Sequence, residues 1–279
     1  MALKRHYPIK GVTIVEAADS SRQGAADSGV AGDGAAAVLS MVYAHGQRPT
    51  ADALFDLTQR EAAGLRFAIS HLPTVDAESG AAVWAELLAG GLTYDCRGLA
   101  PGIPANRPGR GAMLGLHDVP EGEAISLEPA PHLAEGRGML PVVKVLAGLG
   151  GELAQLPGLS AVYWEPARCW MAPKYFRGVV AEWLAGGAFP ALGFTSLQRD
   201  SDGAMVSAGL DFLIGQELRF DADRRLVPAA VARIAVRLIH SLIESGPLNA
   251  AAEFVGPEGE RLLVEPVQGG RHLRVVVRR

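Results

Sequence analysis

Cys169 sits in the run WEPARCW, with Trp164 and Trp170 at either end and Glu165 and Arg168 between them. A thiolate is the reactive form of cysteine, and an adjacent arginine favours it. Cys169 is therefore a candidate nucleophile, provided the fold brings it a histidine from elsewhere. The plainer reading is a small buried hydrophobe. Two carboxylates form a second candidate. Glu165 ends the apolar run LSAVYW, which reads as a buried strand, and Glu217 opens ELRF, which reads as another. Both could reach the same end of a sheet and there exchange protons or bind a cation. They could equally cap helices or pair with Arg168 and Arg219. His117, followed by Asp118 and then by Pro120, could sit at a sheet edge beside a pocket, or be a solvated turn residue.

The signatures of the common catalytic families are missing. There is no phosphate-cradling Walker loop, no H-E-x-x-H, no G-x-S-x-G elbow and no paired C-x-x-C. The glycines at 148, 150 and 151 fall inside a helical pattern, without the preceding strand that a dinucleotide loop needs. Asp200-Ser201-Asp202-Gly203 resembles the start of a calcium loop, yet the remaining ligands are absent and turn chemistry accounts for it. Seven histidines are scattered, and no two share metal-ligand spacing. Neither a metal nor a cofactor is expected.

The chain has 279 residues, 49% hydrophobic and 20% charged, a balance that excludes wholesale disorder. A net charge of −4 gives no reason to expect a nucleic-acid partner. The basic end (Arg271, Arg274, Arg278, Arg279) carries no aromatic stacking platform and reads as a solvated strand end. No apolar run is long enough to span a membrane, and the first residues lack the apolar core of a signal peptide. Two cysteines far apart in sequence suit a reducing cytosol, so a cytoplasmic protein is expected.

Periodicity divides the chain into a lead-in over residues 1–35, an N-terminal α+β half over 36–120 and a C-terminal α+β half over 121–279. AAAVLSMVYA reads as a buried strand, Pro49-Thr50 as the start of a helix with Leu54, Phe55 and Leu57 on one side, and LRFAISHL as a strand. Ala81 to Leu88 reads as a short helix ended by Gly90-Gly91. Residues 97–112, with three prolines and four glycines, are either a linker or a loop folded over a surface. AMLGLHDV and EAISLEP read as strands. The spacing of Met139, Val142, Val143, Leu146, Leu149 and Leu153 predicts a helix, and Pro173 begins another with Tyr175, Phe176, Val180 and Trp183 on one stripe. PALGFTSLQ and AMVSAGLDF flank a hairpin turn at 199–203. Val227 to Leu242 form the longest helix, with Arg233, Arg237, His240 and Glu244 on its polar face, and a terminal hairpin turns at Gly269-Gly270. Interleaved helices and hairpins predict an α+β fold of mixed or antiparallel sheets covered by helices, with two ferredoxin-like halves as one arrangement.

The stretch AVYW, with Pro173 and Phe176, Pro190, Gly209-Leu210 and Glu217, resembles a family of bacterial domains that has no assigned activity. Its members carry a "VYW" strand, a helix with an early proline, a "P-x-L-W" strand and a "GL…FG..E-I-E" strand. This chain departs from that pattern at Gly193-Phe194 and at Arg219. The resemblance implies a fold and supplies no catalytic residues.

Residues 161–220 hold ten of the seventeen aromatic residues, so the densest core, and any groove it leaves open, should be there. With no recognisable reactive group, the leading expectation is a non-catalytic binding or assembly module. Trp164, Trp170, Tyr175 and Arg168 would form its contact surface for a protein partner or a second copy. The alternative is a small hydrolase or transferase using Cys169 or the Glu165–Glu217 pair.

Overall fold

The computed structural model describes residues 15–16, 37–60, 64–73, 83–222 and 227–278, so the expected lead-in, apart from Val15–Glu16, lies outside the described residues. In chain order the elements begin with β1 (Val15–Glu16), β2 (Leu39–Tyr43), α1 (Ala51–Thr58), β3 (Phe67–His71), β4 (Val83–Ala89), β5 (Leu92–Leu99), β6 (Ala112–Leu114) and β7 (Glu123–Pro129). A 3-10 segment at Pro131–Gly136 leads into α2 (Leu140–Leu153), β8 (Leu159–Trp164), β9 (Cys169–Met171), α3 (Pro173–Leu184) and the short turn α4 (Ala191–Phe194). The remainder is β10 (Ser196–Arg199), β11 (Met205–Ala208), α5 (Asp211–Ile214), β12 (Glu217–Phe220), α6 (Pro228–Ser245), β13 (Ala252–Val255), β14 (Arg261–Val267) and β15 (His272–Arg278).

These elements build an α+β fold with two mixed sheets. One has eight strands in the order β3-β4-β5-β7-β2-β8-β9-β6, the other seven in the order β1-β10-β11-β12-β15-β14-β13. The arrangement is therefore one eight-stranded and one seven-stranded sheet in place of two four-stranded ferredoxin-like units. The boundary expected at 120/121 falls inside the first sheet, because β7 pairs with both β2 and β5.

Strand β2 shows why the first sheet has its centre there. All five of its residues are buried, and it is paired antiparallel on both sides, Met41 opposite Ile125 and Val162. Its inner face meets α2, where Val143, Leu146, Leu149 and Leu153 are fully buried. Each such side chain contributes roughly 1.5–3 kcal/mol. Helix α1 starts where Thr50 accepts the Ala53 N–H at 3.2 Å and buries Leu54 and Leu57. Phe55, expected on that side, is 57% exposed, since one position along turns the side chain by 100°.

The segment expected as a helix over 81–88 is strand β4. Gly90 and Gly91 both have positive φ (56° and 77°) and form the two-residue turn of a hairpin to β5, with Ala89 opposite Leu92. Two consecutive left-handed residues make a hairpin turn, and the Trp84, Leu87, Leu88 spacing only imitates a helix stripe. Strands β9 and β13 and the turns α4 and α5 were also unforeseen, each being four residues or fewer.

After β5 ends at Leu99, the glycine- and proline-rich segment folds over the outer face of the first sheet. Arg48, its side chain 7% exposed, donates to the Gly98 and Gly102 carbonyls at 2.5 and 2.8 Å and pairs with Glu123 at 3.0 Å. Ala105 N–H meets the Ala124 carbonyl at 2.9 Å. Beneath this cover lie Val42, Ala124, Ala161, Tyr163 and Trp170.

The sheets share one core, and rings join them. Phe194, in α4, lies 4.5 Å from Trp164, 5.9 Å from Trp183, 5.9 Å from Phe189 and 6.3 Å from Phe176 by ring centroids. His240 on α6 meets the Phe189 carbonyl at 2.9 Å, so it is half-buried and bonded where a free polar face was expected. Arg233 on that face pairs with Glu258. Truncating a buried aromatic costs roughly 3–5 kcal/mol. Trp183→Ala should therefore lower the urea unfolding free energy by that amount, while His240→Ala, losing one hydrogen bond, should cost about 1 kcal/mol. Equal costs in urea melts would mean that Trp183 does not join the ring cluster.

Candidate functional site

A cleft of about 640 Å³ opens where the end of β8, the segment before α2 and the turn α5 converge. Its walls include Glu165, Asp211, Glu135, Arg137, Met139 and Phe212. The volume lies in the ordinary range for small-molecule sites.

Two of its carboxylates are placed by aromatic neighbours. Trp164 points inward from β8 and meets Phe212 edge-on, with ring centroids 6.0 Å apart. The next residue after Trp164 is Glu165, whose N–H continues the ladder to the Val38 carbonyl at 3.0 Å. The residue before Phe212 is Asp211. Both acids thereby line the opening. Trp164 is fully buried, and its indole Nε1 has no hydrogen-bond partner among the described residues.

Burial raises the Glu165 carboxyl above its ordinary pKa, against the opposing pull of a hydrogen bond from Ser40 Oγ at 3.0 Å and the Arg168 charge. Arg168 itself is exposed in the turn between β8 and β9, at a left-handed φ of 47°. Arg137 lies over the Phe212 ring at 5.7 Å and makes no hydrogen bond or ion pair among the described residues.

Behind the wall stands Glu217, 9% exposed at the start of β12. It accepts a hydrogen bond from Ser207 Oγ and one from the Asp211 N–H at 3.1 Å. Burial, then the neighbouring Asp211 carboxyl, pushes Glu217 up to about 8. Among the described residues no arginine pairs with Glu217. Arg219, expected beside Glu217, is held by Asp200, Asp202 and Asp221.

The sequence candidates therefore separate. Glu165 lines the cleft, whereas Glu217 does not and instead accepts the N–H of Asp211, a lining residue that the sequence did not mark. Asp211 follows Gly209-Leu210 in what looks like any polar turn; the signal available was an acid six residues before Glu217, next to a phenylalanine. Cys169 is 1% exposed on the inner face, and burial pushes its thiol up to about 12. Among the described residues the thiol makes one hydrogen bond, a long one to the Trp170 carbonyl at 3.7 Å, and no histidine partners it, which argues against the nucleophile reading. His117 is exposed in the loop between β6 and β7 and does not line the cleft.

The expected open aromatic surface is closed. Trp164 and Trp170 are both 0% exposed, because alternation along β8 and β9 sends one toward the helices and the other beneath the 100–119 cover. Trp170 Nε1 donates to the Gly109 carbonyl at 3.0 Å. Tyr175 is half-buried and donates to the Leu192 carbonyl at 3.1 Å. At the basic end, Arg274 pairs with Asp221 and Arg278 with Glu253.

No protein-family model matches the chain. No curated protein and no solved structure matches it either. No helix among the described residues is long and apolar enough to cross a membrane, and no group of three or more potential metal ligands occurs among them.

The buried acid gives a pH-dependent stability whose sign is fixed. Folding raises the Glu217 pKa, so the folded state holds a proton that the unfolded state releases between about 4.5 and about 8. Stability is full below that window and is lost as pH rises through it. Glu217→Gln should remove this loss, making the variant more stable relative to wild type at pH 9 than at pH 5 by roughly 2–4 kcal/mol. Urea melts at the two pH values measure the difference; parallel pH profiles would show that Glu217 ionises freely.

Proposed function

We propose that the protein is a binding module for a small polar molecule, with the cleft between Glu165 and Asp211 as its site. The observation that carries this reading is the open cavity lined by Glu165 and Asp211, with the buried Glu217 carboxyl accepting the Asp211 N–H at 3.1 Å behind its wall. Buried, uncompensated carboxyls are costly to a fold, and perturbed acids in a cleft mark sites of function more often than of packing. The cavity is small beside a protein interface, and the large aromatic side chains are spent on the core, which favours a small ligand over a protein partner. A cytoplasmic setting belongs to the same reading, supported by two free, buried cysteines. So does the likeness to the domains with a VYW strand, which rests on AVYW in β8, on Gly209-Leu210 and on Glu217.

A second reading, acid–base catalysis, is favoured by Glu217 alone, since a carboxyl that titrates near 8 can deliver and recover a proton at neutral pH. Binding comes first because catalysis would need binding in the same cleft.

Amide spectra of the labelled protein, recorded with mixtures of small amines, amino acids, carboxylic acids and sugars, test the proposal. Binding compounds should shift Val38, Gly138 and Phe212. Glu165→Gln and Asp211→Asn should each weaken that binding by about tenfold, the loss of one charge-assisted hydrogen bond. Compounds that bind elsewhere, or binding indifferent to both substitutions, would overturn it.

A further inference from the structure

We propose that residues 101–110 form a strap that opens as one unit from the outer face of the first sheet, with Arg48 as its latch. None of these residues lines the cleft, so the device is separate from the ligand site.

None of residues 101–110 is buried, and Ile103, the largest apolar side chain of the strap, is 59% exposed. Within the strap, Ala105 alone packs against the cluster beneath. Apolar burial, which fixes β2 and α2 in place, therefore contributes little here. Hydrogen bonds hold the strap instead, and those that tie it to the sheet end on its backbone. Arg48 Nη2 donates to the Gly102 carbonyl at 2.8 Å, Trp170 Nε1 to the Gly109 carbonyl at 3.0 Å and Tyr163 Oη to the Arg110 carbonyl at 3.3 Å. The Ala105 N–H donates to the Ala124 carbonyl at 2.9 Å, and Arg107 donates to the Pro120 carbonyl at 2.7 Å.

Among the donors from the sheet side, Arg48 differs in kind. Its side chain is 7% exposed, all three guanidinium nitrogens are engaged, and its charge is met by Glu123 at 3.0 Å. A buried cation bonded to carbonyls is a stronger tie than a neutral donor. The strap also lies close over β5: a Cβ at Gly98 would fall 2.5 Å from the Ala105 nitrogen and 2.9 Å from the Ala124 oxygen. Its two ends are fixed points, the Ala100 N–H on the Pro49 carbonyl at 3.0 Å and the Ala112 N–H on the Arg168 carbonyl at 2.9 Å. Between them the ties share one short stretch of backbone, so releasing Gly102 loosens the rest. Opening uncovers Tyr163 and Trp170, whose rings lie 4.7 Å apart, while Met113, Leu116 and Val119 stay over the remainder of the cluster.

Hydrogen exchange of the full chain, followed by NMR at the Ala105 amide and the Trp170 indole N–H, tests the proposal. The two probes should show equal protection, about tenfold or more below that of the β2 amides, because the strap opens without the sheet. Ile125→Val loosens the core under β2 whether the strap is open or closed. It should speed β2 exchange about threefold or more and leave both strap probes unchanged. Arg48→Met should speed both probes by one common factor, about tenfold or more. Glu123→Gln keeps the shape of the pair and removes its charge; it should act in the same direction, and serves if Arg48→Met does not fold. Strap probes that match β2 in protection and in their response to Ile125→Val would overturn the proposal, since the strap would then leave only when the whole protein unfolds. So would latch variants that speed the Ala105 amide without the Trp170 indole, or that speed neither.

Discussion

The edge-on contact between Trp164 and Phe212 is the constraint on which the rest of the structure depends. Phe194 also packs against Trp164, at a tilt, and gathers Phe176, Trp183 and Phe189, so one set of rings joins β8, α3, α4 and α5. Large flat side chains fill such a junction with few voids and little rotamer entropy lost per unit area buried. Because the chain is covalent, fixing Trp164 and Phe212 also fixes Glu165 and Asp211. The same contact that closes the core therefore opens the cleft and sets its charges.

The second sheet supplies what the first cannot. Strand β12 begins with Glu217, and the short connection from β11 through α5 leaves this carboxyl behind Asp211 with Ser207 beside it. A carboxylate buried without a cation is unfavourable, and the protonated form is how the fold tolerates it.

Much of this frame was legible in the sequence, for physical reasons that differ by element. The continuous apolar run of β2 and the stripe on α3 after Pro173 each have a single good solution. Strand β4 did not, since its apolar spacing fits two periods and only the paired left-handed glycines decide between them. The aromatic stretch was rightly placed at the core and wrongly given a face: strand alternation buries Trp164 and Trp170 on opposite sides, and the cover of the second comes from residues some 60 positions earlier. Glu165 and Glu217 were recognised as ends of buried strands. Their link, Asp211, was hidden because a four-residue turn carries no periodicity, and because an acid beside glycine and leucine looks the same whether it faces water or another acid.

The central claim is that Glu217 holds a proton at neutral pH because it is buried against Asp211. A carboxyl-¹³C NMR titration of glutamate-labelled protein tests it most directly. The account predicts that the Glu217 resonance moves with a midpoint near 8, separate from the exposed glutamates. A midpoint near the ordinary 4.5 would contradict it and with it the paired-acid site.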